Sequence, residues 1–289
     1  MKFSERIEVT PVKVEIQIES MDDDLRNSLW NAFQMHCLDV IKPRTNNSIY
    51  YSSISLSFFK SLWVDYLKLP LDSLDDSYSY TCKVLQEQFL LKWEWYKVYD
   101  FIEFVSYIMV PYGDNFKNDF ILYCNSVLER ELSAYRFVDG LITQITDESE
   151  IREIEEAIQN AGVTKLSGVQ THLKSALAKM SDKKEPDYRN SIKESISAVE
   201  AITRILIGDP NATLGNALKK IETEGNIVIH EALKTAFSKL YGWTNDTGIR
   251  HALNEELDLQ LEDAKYMLVS CSAFINYLIV KADKAGIKL

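Results

Sequence analysis

Leu261-Glu-Asp-Ala-Lys-Tyr-Met-Leu-Val-Ser-Cys-Ser-Ala-Phe-Ile-Asn-Tyr-Leu-Ile-Val-Lys-Ala282 carries apolar side chains at 261, 264, 268, 271, 275, 278 and 282. That alternation of three and four is a heptad seam of about three repeats, and only an α-helix brings such positions to one side. A seam of this kind is buried against its own bundle or across a symmetric dimer, and both remain open. In front of it, Lys239-Leu-Tyr-Gly-Trp-Thr-Asn-Asp-Thr-Gly-Ile-Arg-His-Ala-Leu253 interrupts the pattern. Thr244-Asn-Asp-Thr-Gly248 reads as a turn, because Asn, Asp and Gly accept left-handed backbone and local side-chain hydrogen bonds. Arg250 and His251 follow directly, and Asn254-Glu-Glu offers the cap of the last helix. A guanidinium and an imidazole beside the N–H groups of a helix start suit a phosphate. The same two residues also suit a purely structural role as pins of the turn.

Helical periodicity extends upstream. Leu166, Val169, Leu173, Leu177 and Met180 mark one helix, and Ser181–Pro186 is a charged linker. Ile192, Ile196, Val199 and Leu206, with Ile202 and Ile205 beside them, mark the next. Thr213 caps a short helix over Leu214–Ile221, and Val228–Leu240 supplies another. Glu200 stands on the strongly apolar helix. A buried carboxylate is costly unless paired, so Glu200 lies at a helix edge or meets a cation, with Arg250 as a candidate.

The first half is helical too, but richer in aromatic residues. Asp22-Asp-Asp24 reads as the first turn of a helix, where carboxylates meet the positive end of the dipole, and Leu25, Leu29, Phe33 and Cys37 recur every four residues. Ile54–Leu67 carries Phe58, Phe59, Trp63 and Tyr66, and Thr81–Met109 is one long helix or two. A further helix holds Phe116, Phe120, Tyr123 and Val127. Aromatic stripes at this spacing are read as core. Val12–Glu19 alternates like a strand or an extended lead-in, with no partner near in sequence. Asp139-Gly140, between two β-prone runs, is a strong hairpin signal. Asp147, with Glu150 three residues on, opens a helix that Gly162 ends.

Together these elements predict an all-α fold: two helical modules joined near one short hairpin. The modules are taken as 1–146 and 147–289, with Gly162 as the other position for the boundary. Charge supports the division. Residues 1–162 hold 15 basic and 27 acidic side chains, residues 163–289 hold 17 and 16, and 25 of the 32 aromatic residues lie in the first part. The acidic part should be repelled by nucleic acid, leaving RNA contact to the second. There Lys183, Lys184 and Arg189 belong to the densest basic stretch, which reads as an RNA-contacting face or as an ordinary solvated one.

Other chemistries are poorly represented. The four cysteines, at 37, 82, 124 and 271, show no paired spacing, which argues against a disulfide framework or a zinc ribbon. His230-Glu-Ala-Leu-Lys234 places Lys where a zinc signature needs its second His. Neither a phosphate-cradling GxxxxGK nor a GxGxxG occurs, so neither metal nor cofactor is expected. Met1–Ile7 has no apolar h-region, and the longest uncharged stretch, Tyr266–Val280, is 15 residues, short of the ~20 that span a bilayer. A cytoplasmic location without membrane contact is expected.

Ser4-Glu-Arg-Ile7, Ser133-Ala-Tyr-Arg-Phe-Val138, Ser197-Ala-Val-Glu200 and Gly248-Ile-Arg-His251 together resemble bacterial abortive-infection proteins of the AbiJ type. The C-terminal part resembles the HEPN superfamily of helical domains. The resemblance implies phage defence, a bundle that dimerises and metal-independent RNA cleavage. In active HEPN ribonucleases an Arg is followed after four to six residues by a His; here Arg250 and His251 are adjacent. Adjacent residues on a helix point ~100° apart, so convergence on one phosphate needs an irregular turn or a second protomer. The expected function is an antiphage effector whose HEPN-like module cleaves RNA. His251 acts as general acid or base and Arg250 stabilises charge, with Asn245, Asp246 and Glu200 supporting them. A homodimer is expected, and the first module senses a phage or partner protein. The alternative is a non-catalytic module that binds a protein partner or a nucleotide.

Overall fold

Asp22 opens the first helix as the sequence leads one to expect: its Oδ1 accepts the N–H of Leu25 at 2.9 Å in the computed structural model. That structure describes residues 16–43, 50–109, 114–182, 185–221, 223, 226–246 and 258–289. The mainly helical fold is present, with eleven helices of seven or more residues and one two-stranded hairpin among the described residues. The chain forms two units, Met1–Thr146 and Asp147–Leu289.

In the first unit α1 (Asp23–Phe33), α2 (Ser53–Ser61) and α3 (Tyr78–Glu87) each run directly into a π-turn: Gln34–Leu38, Leu62–Tyr66 and Gln88–Lys92 respectively. The Thr81–Met109 region is therefore two helices, α3 and α4 (Trp95–Ile108), separated by the third π-turn. The fifth helix, α5, spans Asp114–Arg130. Aromatic side chains fill the interior. Phe33 meets Phe101 edge to face with centroids 4.9 Å apart, and Phe58, Phe59, Phe89 and Phe120 are fully buried.

The hairpin β1 (Arg136–Val138) and β2 (Leu141–Thr143) turns through Asp139 and Gly140, with φ of +47° and +85°. Positive φ at both central residues is what a type I′ turn requires, and Asp-Gly supplies it at low cost. Asn125 on α5 secures β1 twice: its Oδ1 accepts the N–H of Phe137 at 2.8 Å and its amide donates to the Phe137 carbonyl at 3.1 Å. Glu103 on α4 accepts the N–H of Ile142 at 2.6 Å. The extended segment at Gln17 finds its partner far along the chain, in a parallel bridge to Ser133. Gln17 exchanges main-chain bonds with Leu132 and Ala134, and its amide donates to the Glu131 carbonyl.

In the second unit α6 (Glu148–Asn160), α7 (Ser167–Ser181), α8 (Tyr188–Ile207) and α11 (Leu261–Lys284) form a bundle, with α9 (Leu214–Lys220) and α10 (Glu231–Asp246) added to it. The central α8 packs on α7, α11 and α9. The seam of α11 faces inward: Ala264, Leu268, Cys271, Ile275, Leu278 and Ala282 are fully buried within one chain, against α8, α6 and α7. Of the positions expected inside α8, Ile205 instead remains partly exposed. The cap of α11 is Gln260, in a capping box with Asp263; Asn254 lies outside the described residues.

One expectation needs correction. The helix α10 begins at Glu231 rather than Val228 and continues past Leu240 to Asp246. Thr244, Asn245 and Asp246 are its last turn and not a turn-forming cluster. Thr244 is fully buried and its hydroxyl donates to the Tyr241 carbonyl at 2.8 Å. That back-bond absorbs the polar group that would otherwise compete with the helix.

Asn125→Leu is expected to leave the buried N–H and carbonyl of Phe137 without side-chain partners and to lower unfolding stability by about 2 kcal/mol in urea titration. Asp147, the N-cap of α6, accepts from the N–H groups of Glu150 and Ser149, which hold its carboxyl below the ordinary 3.8. Stability from the ionised cap is thus complete above that pH and is lost as pH falls through the lowered folded value. Asp147→Asn keeps a capping oxygen but no titration. The stability difference between wild type and Asp147→Asn should be constant near neutrality and shrink below about pH 4.

Candidate functional site

Burial on α8 forces the first question about chemistry. Glu200 is 4% exposed, and its Oε2 lies 3.6 Å from Nη2 of Arg204, one helical turn on. Arg204 also donates from Nε to the Ala212 carbonyl at 2.7 Å, which fixes the loop between α8 and α9. Glu200 therefore has a cation on its own helix. Arg250, the candidate suggested by sequence, lies outside the described residues, as do His251, Lys183 and Lys184. Asn245 and Asp246 are placed by their backbone alone, in the last turn of α10.

The basic stretch is partly spent within the chain. Lys165 Nζ donates to the Lys288 carbonyl at 2.6 Å, and Lys179 approaches Asp187 at 4.0 Å. Asp187 in turn caps α8 through the N–H of Asn190 at 3.0 Å. Arg189, in the first turn of that helix, is half-buried beside Asp187.

One pairing had no sequence signal. His172 on α7 and Glu194 on α8 meet through Nδ1 and Oε2 at 2.7 Å, both partly exposed. The two are far apart in sequence, and only the antiparallel packing of α7 on α8 joins them. A carboxylate at Nδ1 fixes an imidazole's orientation and leaves Nε2 as its remaining site for proton exchange.

The thiols offer no nucleophile. All four are free, and burial pushes Cys82 up to about 11 and Cys271 to about 12. Among the described residues no three His, Cys, Asp or Glu side chains could together hold a metal ion, and no helix is long and apolar enough to cross a membrane.

In the first unit most aromatic residues are core, as expected, but Trp63, Tyr66 and Trp93 line an open cleft. Their spacing resembles that of their buried neighbours Phe58 and Phe59, so nothing in the sequence distinguishes wall from core.

Residues 1–160 match the family model of AbiJ N-terminal domain 4. The chain belongs to this AbiJ family. Comparison with curated proteins and with solved structures gives no match. Membership places the chain in an abortive-infection, antiphage context. The AbiJ match takes in the whole hairpin and ends with α6, the helix opened by Asp147.

Removing one member of the Glu200–Arg204 pair should cost more than removing both. Arg204→Ala removes the cation one turn from a buried carboxylate and is expected to destabilise by about 3 kcal/mol, whereas Glu200→Leu combined with Arg204→Met should recover most of that loss. Chemical denaturation of the three proteins measures it. Equal destabilisation by the single and double variants would show that the two side chains are not coupled.

Proposed function

We propose that this AbiJ-family chain is an antiphage abortive-infection effector whose second unit is a HEPN-like bundle that cleaves RNA without a metal. The match over residues 1–160 carries the antiphage part of this reading. The catalytic part rests on Arg250 and His251, four and five residues beyond the end of α10 and ahead of α11. His251 exchanges a proton with a ribose 2′-hydroxyl or a leaving oxygen, a task suited to an imidazole that titrates near neutrality. Arg250 grips the phosphoryl oxygens as negative charge grows on them. Glu200 supports the bundle from α8, and Lys183, Lys184 and Arg189 meet the RNA backbone.

Two copies complete the centre in this mechanism, since adjacent residues on a regular helix point ~100° apart and would not converge on one phosphate. The pairing uses a face other than the α11 seam, whose apolar residues are already covered within the chain. The first unit receives the phage signal or a partner protein in the cytoplasm. A non-catalytic bundle that binds a protein partner or a nucleotide is the second reading, favoured by the direct adjacency of Arg250 and His251.

His251→Ala should lower cleavage of total bacterial RNA by about 10²–10⁴-fold. Arg250→Lys should also impair it, since Lys retains the charge but not the planar fork. Both proteins should melt near the wild-type temperature. A well-folded double variant with undiminished cleavage would end the catalytic reading. Activity losses that follow a fall in melting temperature would assign Arg250 and His251 to the fold.

A further inference from the structure

The cleft in the first unit has a volume of about 520 Å³ and lies between the Leu62–Tyr66 and Gln88–Lys92 π-turns and α4. That volume falls in the range of small-molecule sites, roughly 300–1,000 Å³. Its apolar walls include Trp63, Tyr66 and Trp93, and Gln88, Lys97 and Asp100 supply its polar groups.

The walls are fixed by bonds that leave specific groups over. Trp63 Nε1 donates to Ser73 Oγ at 2.9 Å, and the Tyr66 hydroxyl donates to the Lys97 carbonyl at 2.9 Å. Burial pushes the Tyr66 phenol well up, so it stays a donor. Trp93 follows the third π-turn, and its carbonyl, with that of Phe89, is held by Arg26 Nη1 at 2.8 and 2.7 Å. By contrast, among the described residues the half-buried side-chain amide of Gln88 makes no hydrogen bond and the ammonium of Lys97 makes no ion pair. Two of the three π-turns contribute to this one cleft, and π-turns occur disproportionately at functional sites.

We propose that the cleft binds a purine mononucleotide, adenine in particular. The base lies against the half-buried Tyr66 and Trp93 rings, where stacking is available to any flat heteroaromatic ring. The Gln88 amide presents one donor side and one acceptor side, which matches the paired acceptor and amino group on an adenine edge. Lys97 meets the phosphate, and Asp100, one turn further along α4, accepts from ribose hydroxyls. A polynucleotide is disfavoured by the acidic surplus of this half, 27 acidic against 15 basic side chains over residues 1–162. This site is independent of RNA cleavage by the second unit.

Calorimetric titration of the full chain with AMP, adenosine, UMP and a single-stranded oligoadenylate tests the proposal. AMP is expected to bind more tightly than UMP, with quenching of tryptophan fluorescence. Gln88→Leu should weaken AMP and adenosine alike by about tenfold. Lys97→Ala should weaken AMP while leaving adenosine unchanged. Gln88 is half-buried and Lys97 exposed, so the variants should retain the wild-type melting temperature. Absence of AMP binding to the folded wild-type chain at about 1 mM, a weak-affinity limit of some 4 kcal/mol, would overturn the proposal. So would AMP binding that both variants leave intact, or oligoadenylate binding tighter than AMP that Gln88→Leu abolishes.

Discussion

Main-chain groups that a helix end leaves without partners must be satisfied wherever the end is buried, and much of this molecule is arranged by that constraint. Three helices of the first unit run into π-turns whose inner sides pack into the aromatic interior. Arg26 reaches across to the carbonyls of Phe89 and Trp93, and the Tyr78 hydroxyl donates to the Leu38 carbonyl at the end of the first π-turn. Arg136 does the same for Ser133 and Tyr135. Each of these long side chains gives up rotamer freedom, and Arg26 and Tyr78 thereby join elements that sequence separates. The aromatic packing then has a frame to fill.

The second unit meets the constraint more locally. Thr213 and Asp187 cap their own helices, and Arg204 binds the Ala212 carbonyl in the loop after its helix. Its bundle is held instead by a conventional seam on α11. With that seam spent internally, the dimer proposed above would have to draw on other surfaces of the unit.

What was legible in the sequence is what depends on neighbours in sequence. Asp22, Asp147 and Thr213 announce helix starts because a cap needs only the next three residues, and Asp139-Gly140 announces a hairpin because the turn needs only itself. The bridge of Gln17 to Ser133 and the pairing of His172 with Glu194 arise from packing, and neither residue type signals its partner. Thr244-Asn-Asp246 misled for a related reason. Its turn chemistry is real, but the helix before it continues, since Thr244 is buried and bonds back to Tyr241. The π-turns left no trace, because the residues that form them are ordinary helix formers and the extra residue per turn is imposed from outside. Arg250 and His251 lie beyond the described residues, so sequence remains their only account.

The π-turns also explain how an aromatic-rich bundle comes to have an opening at all. In a regular helix, Trp63 and Tyr66 would continue the stripe of Phe58 and Phe59 into the core, since positions three and four apart share a face. One residue added per turn rotates the following side chains relative to that stripe. Trp63 remains buried while Tyr66, three residues on, is only half-buried at the cleft. On the other wall the π-turn begins at Gln88, which borders the open space, while Phe89 beside it is fully buried. Two helices altered in this way border one gap that their own side chains do not fill. An aromatic core could close such a gap by one substitution to a larger residue, yet the polar Gln88, Lys97 and Asp100 stand there instead. Of these, the Gln88 amide and the Lys97 ammonium add no side-chain hydrogen bond or ion pair to the fold among the described residues. The flat, polar ligand proposed for the cleft would supply partners for those two groups.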